Sequence, residues 1–178
     1  VQTGIGITGK MWAYEHFSVK PDIISFGKKT QVCGMLAGDK IYNLDKNVFK
    51  ESSRINSTFG GNLVDMYRFK LIMEIMEKEN LMNNAQLMGD YLLNSLVNLS
   101  NDFPGYVTNP RGSGLFCAFD MTSGIERDKL VSLCQEQNLL ILGSGDQSIR
   151  FRPHLNVSKK DLDICITTLQ DVLKKMLN

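Results

Sequence analysis

Several features that often reveal a function are absent from this sequence. No apolar run approaches the ~20 residues needed to span a bilayer as a helix, so no membrane partner is expected. No secretory signal pattern opens the chain. Charge of one sign is not in excess: 20 Lys and Arg face 19 Asp and Glu, a net charge of +1, so neither nucleic acid nor an anionic surface is an expected partner. The four cysteines, Cys33, Cys117, Cys134 and Cys165, contain no CxxC pair. Nor do they stand at metal-ligand spacing from His16 or His154. No metal site or disulfide framework is expected, and reduced thiols in a cytoplasmic protein are. Repeats and low-complexity segments are also missing. Three Asn-x-Ser/Thr triplets, at Asn56, Asn98 and Asn156, mean little without a secretory signal.

What is present is ordinary globular composition, 43% hydrophobic and 22% charged over 178 residues. That length holds one domain, or one domain and part of another. The chain opens on Val1 rather than Met and runs straight into glycine-rich, structured-looking sequence. The expectation is a chain cut from something longer.

Periodicity divides the sequence. Residues 9–17 read as a short helix or turn, "DIISF" (22–26) as a buried strand and "VCGMLAG" (32–38) as a second strand. "RINSTFGGN" (54–62) reads as a loop. A helix then starts at Leu63 with Leu63, Tyr67, Leu71, Ile75 and Met76 as its apolar stripe, ending near Asn80. A second follows, with Leu81, Ala85, Met88, Leu92, Leu96 and Leu99 on one face, and the weak break between them leaves one kinked helix open. Strands are predicted over 114–121, 139–143 and 148–153, and helices over 127–138 and 158–177. The last helix has Leu162, Ile166, Leu169 and Leu173 as its stripe and Ser158 with Asp161 as a capping box. Residues 1–60 therefore read as the end of an α/β domain, 61–100 as bridging helices and 101–178 as a small α+β unit.

Four segments could carry chemistry. In "DIISFGKKT" (22–30), Lys28 and Lys29 follow an apolar strand directly. A lysine at a strand's C-terminal end, partly desolvated, is a usable nucleophile for carbonyl compounds. A solvated lysine turn is the alternative. Ser57 and Thr58, just ahead of a helix start, suit a phosphate, or simply cap the helix. Arg150 and Arg152 share one strand face and suit bidentate capture of a carboxylate, or surface ion pairing. Gly4, Gly6 and Gly9 form GxGxxG, but with no strand before them and no acidic residue placed after them the dinucleotide reading fails.

In this order the segments resemble one family. "VQTGIGITGKMWAYEHFSVKPDIISFGKK", "INSTFGGN" and "IRFRP" are similar to the class III pyridoxal-phosphate aminotransferases, over essentially the whole chain. The resemblance implies the α/β fold type I, here as its C-terminal part: the end of a large α/β domain, a bridging helix and a small α+β domain. Within that class, "KKTQVCG", "RINSTFGGNLVDM" and "IRFRPHLNVS" are similar to the L-lysine 6-aminotransferases, with the 4-aminobutyrate aminotransferases sharing the lysine pair. His154 stands where those sequences lead one to expect proline.

The resemblance implies these roles. Lys28 is the catalytic Schiff-base lysine and Lys29 a neighbour, with Gly27 leaving room for the cofactor, pyridoxal 5'-phosphate. Gln2 contacts the cofactor ring, and Thr58 reaches the cofactor phosphate across a homodimer interface. Arg150 binds the α-carboxylate of glutamate or 2-oxoglutarate. The implied reaction moves the ε-amine of L-lysine to 2-oxoglutarate, with 4-aminobutyrate as the alternative donor. Other site residues of that class belong outside these 178 residues, so the isolated chain is expected to be an inactive fragment, or a structural module.

Overall fold

The computed structural model describes residues 1–177. Contacts divide them into two compact units. The first combines Val1–Ile5 with Lys10–Asn80; the second combines Gly6–Gly9 with the chain from Leu81 onward. The division between Asn80 and Leu81 separates the two helices expected to bridge residues 61–100.

In the first unit, β1 (Ile23–Phe26) and β2 (Gly34–Ala37) form an antiparallel pair, with Ile23 opposite Ala37 and Phe26 opposite Gly34. Gly34 has no Cβ because the Phe26 ring occupies that space, 2.6 Å from where one would lie. The expectation of a buried β1 is not met. Ile23 and Ser25 are exposed, and Ile24 and Phe26 only half-buried. The reason is that β1 has one hydrogen-bonded neighbour, so no layer covers its outer face. A short helix, α1 (Asp39–Tyr42), follows.

Helix α2 (Leu63–Lys78) begins where periodicity places it, but a different stripe is covered. Met76 is buried and Phe69, Ile72 and Met73 half-buried, whereas Leu63, Tyr67, Leu71 and Ile75 are exposed. Phe69 stacks on Phe26 at 5.8 Å, and Phe26 lies 6.3 Å from Trp12. These rings turn the helix and decide which apolar face is inside. Its N-cap is Asn62, not Ser57 or Thr58: Asn62 Oδ1 accepts from the N–H groups of Val64 (3.0 Å) and Asp65 (3.3 Å). Asn80, with φ of 51°, separates α2 from α3 (Leu81–Asp102), so they are two helices rather than one kinked one.

The second unit is a four-stranded antiparallel sheet under three helices. Its strands are β3 (Thr108–Ser113), β4 (Phe116–Asp120), β5 (Leu142–Ser144) and β6 (Ser148–Phe151), in the order β3-β4-β6-β5. Sequence reading missed β3, because Asn109, Pro110 and Gly112 look like turn residues. It survives as an edge strand with an irregular register between Thr108 and Arg111, and Asn109 at positive φ, which is where a strand tolerates proline. Strands β4 and β6 send Cys117, Phe119, Ile149 and Phe151 to the inner face. That face joins Ala85, Leu92, Leu96 and Leu99 of α3, Leu130 and Cys134 of α4 (Gly124–Glu136), and Leu162, Leu169, Val172 and Leu173 of α5 (Lys159–Leu177) in one core. Burying each large apolar side chain contributes ~1.5–3 kcal/mol.

Both ends of α5 behave as predicted. Ser158 N–H donates to Asp161 Oδ2 at 3.1 Å, and Asp161 N–H to Ser158 Oγ at 3.2 Å. Lys174 and Lys175 occupy the last turn, where they suit the helix dipole. Residues 6–9 belong to this unit because glycines admit them. A Cβ on Gly89 of α3 would fall 2.1 Å from the Gly114 carbonyl carbon, and one on Gly114 would fall 2.5 Å from Ile7 O. Leu115 N–H donates to that same Ile7 carbonyl at 2.9 Å.

Candidate active site

Gln2, Lys28 and Thr58 belong to the first unit, and Arg150 to the second. The 3₁₀ turn Lys28–Thr30 follows β1 directly. Lys28 (φ 63°) and Gln31 (φ 57°) both adopt the left-handed conformation, which costs a non-glycine residue ~1 kcal/mol or more. The turn is held from three sides. Lys29 Nζ donates to Gly4 O at 2.6 Å, Thr30 Oγ1 to Val32 O at 2.6 Å, and Arg68 Nη1 of α2 to Gln31 Oε1 at 2.9 Å.

The two lysines therefore differ. Lys29 is half-buried and ties the turn to the backbone two residues from Gln2. Lys28 is exposed, and among the described residues its amine makes no hydrogen bond or ion pair. Gly27, just before Lys28, is closely packed. The space a Cβ would occupy is filled by Cys33, whose Sγ lies 2.8 Å from that position. Gln2 is half-buried.

Thr58 is exposed in the turn that precedes α2. With Asn62 as the cap, helix capping no longer accounts for Ser57 or Thr58. Ser57 O instead accepts from Gly60 N–H at 3.1 Å, and Ser57 Oγ lies 2.8 Å from where a Gly60 Cβ would stand. The glycine-rich loop "VQTGIGITGK" is a set of tight turns, with Gly6 and Gly9 at positive φ.

Arg150 is half-buried on β6, opposite Ala118 of β4 and Leu142 of β5. Arg152 lies past the end of β6 and is exposed. Arg150 lines a cavity of about 430 Å³ together with Arg111, Phe116, Ala118, Ser144 and Ser148. It also lines one of about 390 Å³ with Leu139, Leu142, His154 and Asp161. His154 is exposed, and its Nδ1 lies 2.7 Å from Asn156 Oδ1. Sequence reasoning singled out Arg150 but not its polar neighbours Arg111, Asp120 and Ser148. The available signal was the alternation that puts Ala118, Asp120, Ser148 and Arg150 on one sheet face.

The side chains singled out by the sequence are thus a lysine at a strand end and a threonine in a turn before a helix in the first unit, and an arginine beside a cavity in the second. The profile of the family described as Aminotransferase class-III matches residues 1–173, and the chain belongs to that family. It is 45% identical to the L-lysine-epsilon aminotransferase of Mycobacterium tuberculosis over 97% of this chain, but spans only 38% of that relative's length. The solved structure described as lysine aminotransferase from M. tuberculosis in the internal aldimine form matches with a TM-score of 0.94 and 45% identity, over 98% of this chain and 40% of that one. A 4-aminobutyrate aminotransferase of Dictyostelium discoideum is 33% identical over 99% of this chain and 35% of its own length. The fold class expected from the sequence, a part of fold type I, agrees with these likenesses.

Proposed function

We propose that the complete protein containing this chain is a pyridoxal-phosphate-dependent aminotransferase that moves the ε-amine of L-lysine to 2-oxoglutarate. The products are 2-aminoadipate 6-semialdehyde and glutamate. The observation that carries this reading is the 45% identity, over 97% of the chain, to a protein named for that activity. In this reading residues 1–60 contribute to the large cofactor-binding domain, 61–100 link the domains, and 101–178 form the small domain. The compartment proposed for the complete protein is the cytoplasm. No helix among the described residues is long and apolar enough to cross a membrane.

The residues present fit the cofactor's chemistry. Lys28 offers an exposed primary amine, Thr58 an exposed hydroxyl in a turn before a helix N-terminus, and Gln2 an amide. When bound, pyridoxal phosphate supplies an electron sink for the carbon bearing the substrate amine. Lys28 would hold the cofactor through its carbonyl carbon and, once released, carry the proton to and from the substrate carbon. Thr58 would anchor the phosphate of the partner subunit's cofactor in a homodimer, and Gln2 would contact the ring. Arg150 would bind the α-carboxylate of 2-oxoglutarate or glutamate and orient the reacting C–H bond. Lys29 would keep the turn in place without a covalent role.

The likeness to the Dictyostelium enzyme favours a second reading, in which 4-aminobutyrate is the donor. Glutamate formation by the complete protein, measured with each donor, separates them. Strong turnover with lysine and weak turnover with 4-aminobutyrate is the expected result, and the reverse ranking would sink the lysine reading. The isolated chain is expected to turn over neither donor.

A further inference from the structure

Among the described residues, Ile5 is the one β-branched residue with positive φ, at 58°, and it is buried. Such a residue rarely adopts the left-handed conformation, and one that does is held there by its surroundings. Two things hold Ile5. Its N–H donates to Met11 O at 2.6 Å, which closes residues 5–11 into a loop with a pinched neck. The tip of that loop, Gly6–Gly9, belongs to the second unit, so the chain leaves the first unit after Ile5 and returns to it at Lys10.

The tip is firmly seated. Ile7 is 2% exposed in the core of the second unit, and its carbonyl accepts from Leu115 N–H at 2.9 Å, immediately before β4. Gly9 turns at φ 83°, and Gln86 Oε1 of α3 fills the space that a Cβ there would need. Within the first unit, the buried Gly4 stands just before Ile5, and its carbonyl accepts from Lys29 Nζ at 2.6 Å. The turn Lys28–Thr30 therefore leans on a carbonyl whose next residue is strained.

We propose that residues 5–11 are a clip through which the second unit positions the lysine turn, with Ile7 as its anchor and Lys29 as the contact it acts on. Ile7 and Lys29 are then positioning residues for Lys28. The inference rests on the reading of Lys28 as the lysine that holds the cofactor. A strained residue relaxes when its support is removed. Loosening the seat of Ile7 lets Ile5 return to an ordinary conformation, which turns the Gly4 carbonyl away from Lys29. Lys28 and Gln31 share the turn's left-handed backbone. Without its tie, that turn presents the Lys28 amine in more than one direction, and the reacting geometry is lost.

The test follows amide hydrogen exchange in the complete enzyme at Leu115, Ile5 and Gln31, whose N–H groups bond to Ile7 O, Met11 O and Lys28 O. Ile7→Ala should speed exchange at Leu115 and Ile5 and, about 5-fold or more, at Gln31. Lys29→Met should speed exchange at Gln31 and, because coupling is reciprocal, at Leu115. Leu169→Ala empties a site in the same core on α5, and should leave Gln31 within about two-fold of wild type. Ile7→Val should act in the same direction more weakly, and replaces Ile7→Ala should that variant not fold. In turnover, Ile7→Ala and Lys29→Met should each lower kcat with lysine about 5- to 20-fold, with the double variant no slower than the slower single one. Faster exchange at Leu115 with Gln31 unmoved in the Ile7 variants would overturn the proposal. So would an equal rise at Gln31 in Leu169→Ala, or rate losses that multiply in the double variant. Borohydride reduction and peptide mapping test the reading beneath it. A mark elsewhere than Lys28 removes that reading and this inference together, whereas a mark on Lys28 with Gln31 unmoved removes the inference alone.

Discussion

In the second unit Leu92, Leu96, Phe119, Ile149, Leu169 and Leu173 are closed to solvent, whereas in the first unit Phe59 and Leu63 stand 78% and 81% exposed. Helices α2 and α3 follow each other in sequence and show the same contrast. Helix α3 has one apolar stripe, and the core covers it. Helix α2 has apolar residues on more than one side, and just one side is covered. Contiguous apolar exposure of that extent marks a surface that packs against something else. The homodimer proposed above would cover such a surface, and the chain spans 38% of the length of its M. tuberculosis relative. One unit thus carries its own stability. The other carries the proposed reactive lysine on a thin, incompletely covered support.

The sharpest way to break this contrast is at Lys28. In the complete enzyme, Lys28→Ala should lower kcat on the order of 10³-fold or more, because the proton carrier is lost. Borohydride reduction of the holoenzyme followed by peptide mapping should mark Lys28. A mark confined to Lys29, which is committed to Gly4 O, would overturn the assignment.

The cysteines separate the units next. Cys117 and Cys134 are buried in the second unit, and burial pushes their thiols up to about 12 and about 11. Cys33 of the first unit is exposed. Alkylation at pH 8 should label Cys33 faster than the buried pair, on the order of 10²-fold or more, since the thiolate is the nucleophile. Comparable labelling of all three without denaturant would show that the second unit opens readily.

Core truncation follows. Phe119→Ala in the isolated chain should cost about 3–5 kcal/mol by urea denaturation, through lost transfer energy and an unfilled cavity. Leu63→Ala should change stability by no more than ~0.5 kcal/mol there, since nothing covers that side chain. In the complete protein the Leu63 effect should grow, and an equal effect in both settings would argue that this face stays uncovered.

Acid has the smallest expected effect. The folded pKa of Asp120 is depressed, so the stability it contributes is present above its unfolded value of ~3.9 and is lost as pH falls through the folded value. Urea midpoints should therefore fall more between pH 5 and pH 3 for the parent chain than for Asp120→Asn. Parallel curves would remove Asp120 from the stability of this sheet.

Much of the second unit was legible in the sequence. The stripe of α3 and that of α5 are each covered by one core, so a period of 3.6 residues was enough to find them. The capping box of Ser158 and Asp161 was legible for a similar reason, since all its parts lie within four residues. The first unit was harder to read. Strand β1 was placed correctly, but its burial was not, because burial depends on layers that the strand's own residues do not encode. The covered face of α2 was misjudged because both faces are apolar, and the Phe26–Phe69 stack decides between them across distant positions. At the candidate site, Lys28, Thr58, Gln2 and Arg150 were picked out by local pattern and family resemblance. The Arg111–Asp120–Ser148 network was not, because its members come from three strands and meet only through register.

The sequence by itself determined where helices and most strands lie, that two lysines end an apolar strand, and which family the segments resemble. These properties are local, set by side-chain periodicity, capping and turn chemistry within a few residues. The tertiary structure alone decided which lysine amine is committed, which face of α2 is covered, that residues 6–9 join the second unit, and which arginine is neutralised by Asp120. Each of those depends on a contact between residues far apart in the chain, and such contacts leave no periodic trace in the sequence.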